Sequence, residues 1–445
     1  MDLDTRLQQV AVVGAAGKMG SGIALLLALE LGYRALEHPE ATHLLNLIDL
    51  NDAALQGLVR YIRDQAAKDG ERQINRLRKL FRDRADLVDN QEMVQEFVFE
   101  VLLRLRTGRT MALAQDALLV FEAAFETEDV KLAIYQDLAA RCRPETFFLS
   151  NTSSIPLQAL SEACAIPGRL IGFHFYNPPA VQKLVELIQP RSCSPELARL
   201  ALDLAQLLRK QTVPANDIAG FIGNGHFIRD ALYAIGEVER LAPEHGFVPA
   251  LHLVERVSRD FLLRPMGIFQ LIDYVGIDVF QLIARVMASH LGEPLHSELI
   301  DRYVAMGVKG GQTSSGAPKA GFLNYAKGRP VAIFDPALRD YRELGGPWLQ
   351  AAEARLGPVP EGQSWKALHR DPDPGPKLEA WFQAIRTMDT LGAELARRYF
   401  RASRATGLNL VRQGVANRPE DVNAVLKLGF FHLYGPITDY LAEAP

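Results

Sequence analysis

Apolar residues follow two different rhythms along this chain. In the first half, short apolar runs alternate with longer amphipathic ones. VAVV (residues 10–13) reads as a short buried strand, and the segment from Ser21 onward as a helix interrupted only by Gly22. LLNLIDL (44–50) and ALLVFEA (117–123) read as further strands, Glu128 to Arg141 as a helix, and TFFLSNTSS (146–154) as a strand running into a loop. An apolar run from Ile171 makes another buried strand and ends at a turn, Asn177-Pro178-Pro179. Alternating strands and helices predict a doubly wound parallel sheet, with ligands bound beyond the carboxyl ends of its strands. Residues 51–106 predict long, partly exposed helices, with a short strand near Ala85–Val88.

From Asp217 the rhythm is helical, over Phe227–Leu241, Ala250–Phe261 and Ile268–Leu291. RPEDVNAVLKLGFFHLYGPITDYL (418–441) reads as a partial second copy of PALHLVERVSRDFLLRPMGIFQLIDYV (249–275). So long an offset points to duplication of a domain, since solenoid units recur at about 20–50 residues. Gly310 to Gly321 reads as a glycine- and serine-rich loop, and the proline-rich residues 334–377 as a long connection. The expected organisation is an α/β Rossmann-like domain (1–212), an all-α domain (213–333), a linker (334–377) and a partial second helical copy (378–445).

The 445 residues exceed what one core usually serves. A net charge of −4 argues against a nucleic-acid binder, which normally carries a basic face. Cys142, Cys164 and Cys193 are scattered and lack metal-ligand spacing, which suits a reducing compartment. No signal peptide pattern opens the chain and no run of 18 apolar residues follows, so a cytoplasmic protein with no membrane partner and no metal is expected.

Three features suggest chemistry. Gly14, Gly17 and Gly20, with Lys18 and Met19 among them, make a glycine turn between strand and helix. Such a turn lets backbone amides approach a pyrophosphate, though a plain strand-turn-helix has the same outline. Its GxxGxxG spacing is one residue longer than GxGxxG. Asp49 ends the next strand, where a carboxylate binds the ribose hydroxyls of NAD and repels the 2′-phosphate of NADP. It comes late, and the charged stretch Tyr33 to Thr42 reads as the insertion responsible. Arg72, Arg76, Arg78, Lys79, Arg82 and Arg84 form a solvated face or a site for a phosphorylated ligand. His174, at its strand end, has the titration range of a general base, and Glu186 can fix its tautomer. Taken alone, the pair reads as a strand-end histidine and a surface glutamate.

In order, the chain carries MGSGIA (19–24), SNTSS (150–154), HFYNP (174–178) with KLVE (183–186), and GFIGN (220–224). In these motifs it resembles the 3-hydroxyacyl-CoA dehydrogenase family over residues 9 to about 280. The resemblance implies NAD-dependent, reversible oxidation of the 3-hydroxyl of an acyl-CoA thioester, in fatty acid β-oxidation. It implies that His174 is the catalytic base and Glu186 its partner, that Ser153 and Asn224 hold the substrate oxygen and the base, and that Glu122 lies near the cofactor's ribose, with Ser153 also on the cofactor side. It implies a helical C-terminal domain that is the usual dimerisation surface, so two copies give a monomer or a larger homodimer. Departures are Gly225 where arginine is typical, Gln182 for Met, Thr127 for Asn, and the poorly matching region 51–116, where the family contacts CoA. They leave open a dehydrogenase of a free hydroxy acid or sugar acid; a non-catalytic NAD-binding protein would be expected to lack at least one of Ser153, His174, Glu186 and Asn224.

Overall fold

The computed structural model describes residues 1–313 and 316–441 and divides into two compact units, Met1–Ile218 and Ala219–Pro445. The first is built on an eight-stranded sheet. Its strands are β1 (Gln9–Val13), β2 (Leu44–Ile48), β3 (Leu105–Gly108), β4 (Leu119–Glu122), β5 (Phe147–Ser150), β6 (Leu170–Phe175), β7 (Leu184–Gln189) and β8 (Gln211–Asn216). They lie in the order β3-β2-β1-β4-β5-β6-β7-β8. All neighbours are parallel except β6 and β7. The central strands are buried almost end to end, as expected when helices cover both faces. Strand order reverses between β1 and β4, and this opens the crevice where such sheets bind ligands.

The expected doubly wound sheet is present, with several corrections of detail. The first helix starts at Lys18, three residues before Ser21, and runs on to Glu37. Half of the stretch read as an insertion is therefore helix, and only His38 to His43 is loop. No strand forms at Ala85–Val88. Val88 is exposed, and its amide joins that of Asp89 on the Glu92 carboxylate, part of the capping box that opens helix Asn90–Leu103. The strand falls instead at β3, whose half-exposed LRTG sequence has no apolar run because it is a sheet edge. Four of the six basic residues are paired locally: Arg72 with Asp69, Arg76 with Glu37, Arg82 with Asp83, and Arg84 with Asp86 and Glu96. The domain boundary moves from 212 to 218, because β8 belongs to the sheet.

The second unit packs helices Gly223–His245, Phe247–Arg256, Ile268–Val275, Ile277–Leu291 and Glu298–Ala305 into one core with Gly346–Leu356, Gly375–Thr387 and Leu391–Arg412, and helix Pro419–Gly429 buries Val422, Val425 and Leu426. It also carries a three-stranded antiparallel sheet, β9 (Leu323–Ala326), β10 (Arg329–Asp335) and β11 (Asp340–Glu343), which the helical rhythm did not reveal. The stretch 334–377 is not a linker. It holds β11 and helix Gly346–Leu356, and it buries Ala352, Leu356 and Leu368 in the shared core. Its prolines and glycines start and end short elements. Within the loop Gly310–Gly321, Ser314 and Ser315 lie outside the described residues, as do residues 442–445 of the expected second copy.

Candidate active site

Beyond β1 the glycine turn is shaped by close approach. Gly14 has φ +74°, and a Cβ there would stand 2.7 Å from the Ala123 carbonyl oxygen at the end of β4. A Cβ on Gly20 would collide with the Gly14 carbonyl. Neither position tolerates a side chain. Gly17 caps helix Lys18–Glu37 with no side-chain hydrogen bond, so Lys18 and Met19 start a helix whose first amides are not taken by a capping side chain. The longer turn has a structural use. The amide of Ala16 donates to Asp49 Oδ2 at 3.0 Å, and the amide of Asn51 to Asp49 Oδ1 at 3.1 Å. Asp49 is thus fastened to the turn it was expected to serve.

Across the crevice, β4 ends in Glu122, which has no exposed surface. Its carboxylate accepts from Lys131 Nζ at 2.8 and 2.9 Å, Tyr135 Oη at 3.2 Å, Ser150 Oγ at 2.8 Å and the Ala124 amide at 2.8 Å. The resemblance implied a place beside the cofactor's ribose. In the structure this carboxylate is sealed among side chains at the end of β4 and ties β4 to β5. Burial alone would lower the Lys131 pKa, but Glu122 and Glu126 outweigh it and hold the ammonium above its ordinary value.

Glu126 is the residue that sequence reasoning passed over. Its Oε1 accepts from Thr152 Oγ1 (2.7 Å), from the amides of Ser153 (2.7 Å) and Ser154 (3.0 Å), and from their hydroxyls (3.3 and 3.1 Å). One carboxylate therefore orders the loop after β5, and within Thr152–Ser154 only Ser153 keeps an exposed portion. Burial would raise the Glu126 pKa; Lys131 and the Thr152 and Ser153 hydrogen bonds overcome it and lower the pKa on balance. The acidic FEAAFE run (121–126) was the available signal.

The antiparallel pairing of β6 and β7 sets His174 directly opposite Glu186. Cross-strand partners lie within side-chain reach, and here His174 Nδ1 meets Glu186 Oε2 at 3.0 Å. Glu186 is fully buried, and the His174 side chain is 10% exposed. The contact with Glu186 fixes the role of Nδ1, and a proton would be exchanged at Nε2. Tyr176 Oη donates to the same Glu186 oxygen at 2.7 Å. Burial, followed by the Glu186 charge, pushes the Tyr176 phenol well above its ordinary pKa, which keeps it a donor.

The surroundings hold this strand end in place. Asn151 Oδ1 accepts from the Phe175 amide at 2.9 Å. Lys210 Nζ donates to the carbonyls of Pro179 (2.6 Å) and Gln182 (2.7 Å), and burial lowers its pKa to about 8. The sheet edge thus gathers the glycine turn, Asp49, the Ser153 loop, His174 and Glu186.

Asn224 belongs to the second unit, where it is the second residue of helix Gly223–His245. The turn before it uses positive φ at Gly220 (84°) and Phe221 (48°). The Gly225 departure has a physical reason: a Cβ there would lie 3.0 Å from Leu410 Cδ2 on helix Leu391–Arg412, part of the second helical copy.

Known proteins are similar to this chain. The family model for the 3-hydroxyacyl-CoA dehydrogenase NAD-binding domain matches residues 9–218, and the model for the C-terminal domain of that family matches residues 248–320. A 3-hydroxybutyryl-CoA dehydrogenase from Mycobacterium tuberculosis is 32% identical over 314 residues, 70% of this chain and 97% of that one. A probable 3-hydroxybutyryl-CoA dehydrogenase from Bacillus subtilis is 29% identical over 70% of this chain and 96% of its own length. The crystal structure of 3-hydroxybutyryl-CoA dehydrogenase from Escherichia coli aligns with a TM-score of 0.63 at 22% identity, over 97% of this chain and 90% of that one. That last likeness shows the fold, second helical region included.

Proposed function

The chain belongs to the 3-hydroxyacyl-CoA dehydrogenase family, and on that premise we propose that His174, paired with Glu186, is the base of its reaction. The reaction is NAD-dependent oxidation of a 3-hydroxyacyl-CoA to the 3-oxoacyl-CoA, a step of fatty acid β-oxidation. NAD, when bound, accepts the hydride from the carbon that bears the hydroxyl. The chain's own residues do the rest. His174 Nε2 takes the hydroxyl proton while Glu186, bonded to Nδ1, offsets the charge that develops on the ring. Glu126 holds the half-exposed Ser153 through its backbone amide, and the Ser153 hydroxyl turns from its long 3.3 Å contact with Glu126 to donate to the substrate oxygen. Asn224 is assigned a second such bond on its GFIGN motif alone. The glycine turn takes the pyrophosphate, and Asp49 takes the ribose hydroxyls of NAD.

The observation that carries the reading is the buried 3.0 Å contact between His174 Nδ1 and Glu186 Oε2 across the β6–β7 register. Two relatives are named for 3-hydroxybutyryl-CoA, and we extend that to a preference for short acyl chains here. We also propose a monomer, because the second helical copy already packs into one core with the first.

The test follows NADH absorbance with acetoacetyl-CoA and, in parallel, free acetoacetate, with wild type and His174→Gln. Wild type is expected to turn over the thioester and not the acid. The variant is expected to lose roughly 10²–10⁴-fold in kcat while still binding NADH. Equal turnover of the free acid would overturn the thioester assignment, and an unchanged variant would overturn His174 as base. Light scattering after size exclusion reads the assembly state, and a dimer mass would overturn the monomer.

A further inference from the structure

Glu186 Oε2 is shared. His174 Nδ1 approaches it at 3.0 Å and Tyr176 Oη at 2.7 Å, and the two rings sit 5.0 Å apart at 41°. His174 and Tyr176 are two residues apart across the end of β6, so both rings lie on the Glu186 side of the sheet. We propose that Tyr176 is a positioning residue of the reaction, acting on His174 through the carboxylate of Glu186. The inference rests on His174 and Glu186 being the reacting pair.

Two effects follow from the geometry. A carboxylate on a strand can still rotate about its last bonds, and one hydrogen bond to a histidine leaves that rotation loosely fixed. The second donor, half-buried and 2.7 Å away, holds Oε2 at the point where Nδ1 meets it. Tyr176 also withdraws part of the charge that Glu186 presents to the ring, because a hydrogen bond to an ionised acceptor disperses its charge. The pair therefore keeps its orientation without holding the imidazolium so tightly that it fails to release its proton when the reaction runs backwards. Of the other ionisable groups near this strand end, Lys210 is committed to the Pro179 and Gln182 carbonyls, Glu126 and Glu122 are committed to Lys131 and the loop after β5, and Lys183 is exposed just before β7.

The experiment is a double-mutant cycle on the full chain, with Tyr176→Phe and Glu186→Gln measured singly and together for kcat, KM and the pH profile of kcat/KM. Followed in the direction of alcohol oxidation, where His174 must be deprotonated, Tyr176→Phe in the wild-type background is expected to lower kcat about five- to tenfold, leave cofactor affinity in place and move the acid limb of the profile to higher pH. In the Glu186→Gln background the same change is expected to do almost nothing. An equal loss in both backgrounds, or no loss in either, would overturn the role assigned to Tyr176. A Glu186→Gln enzyme with wild-type turnover would instead overturn the underlying pair. Thermal melts accompany each variant, and a Tyr176→Phe loss that tracks a fall in Tm, with no movement of the acid limb, would reduce Tyr176 to a packing residue and overturn the proposal.

Discussion

At the scale of single residues, the site is arranged around carboxylates that serve more than one donor. Glu126 is the clearest case, since its Oε1 draws two amides and three hydroxyls onto the loop that bears Ser153. Replacing it by Gln keeps the shape but removes the charge facing Lys131 and turns part of the acceptor into a donor. Glu126→Gln is therefore expected to lower stability by roughly 2 kcal/mol in urea titrations and to lower kcat/KM for the thioester. Unchanged kinetics and stability would show that the loop holds without it. The contrast with His174 shows what a sequence can reveal. His174 and Glu186 stand out because a titratable ring at a strand end needs a partner of their kind. Glu126 does not, because its charge is visible along the chain but the destination of its hydrogen bonds is set by β5, more than twenty residues away. The partners of Glu122 were hidden for the same reason, since its strand-end position gives no sign of Lys131 and Tyr135 closing over it.

At the scale of elements, long buried strands and helices were legible because their apolar runs exceed what loops carry. The short edge strand β3 and the sheet β9–β11 were not, because half-exposed edges show no continuous run. One buried carboxyl gives the helical unit a pH signature. Glu255, on helix Phe247–Arg256, accepts from the Phe269 amide at the start of helix Ile268–Val275, and burial raises its pKa from 4.5 to about 7. Between those values the native state keeps a proton that the unfolded chain has released, so its share of stability falls as pH rises through that window. A shift of this size corresponds to about 3 kcal/mol, fully present below pH 4.5 and lost above pH 7. Glu255→Gln removes the titration. The stability difference between variant and wild type is expected to swing in the variant's favour by about that amount from pH 4.5 to pH 8. A difference that stays flat across this range would contradict the buried, raised carboxyl.

At the scale of the whole molecule, a further helical region after residue 378 was legible, but its integration with the first was not. Trp381 Nε1 donates to the Phe261 carbonyl, Tyr434 Oη donates to the Leu262 carbonyl, and Phe382 and Phe400 fill the same core as Phe261. A chain ended after residue 333 would uncover all of this, and it is expected to lose its cooperative thermal transition and near-UV circular dichroism. A truncated chain that melts as sharply as the full one would show the first copy to be self-sufficient. The shared core has one more effect, seen at Arg264. This guanidinium pairs with Asp230 at 2.7 Å and reaches Ser403, while Tyr399 donates to the same Asp230. A pair of identical subunits related by a two-fold axis must use every contact residue twice, so any change is made on both sides at once. Where both sides of a contact lie in one polypeptide that rule does not bind them: each side of the Arg264 cluster, and of the Gly225–Leu410 contact beside the GFIGN turn, can change by itself.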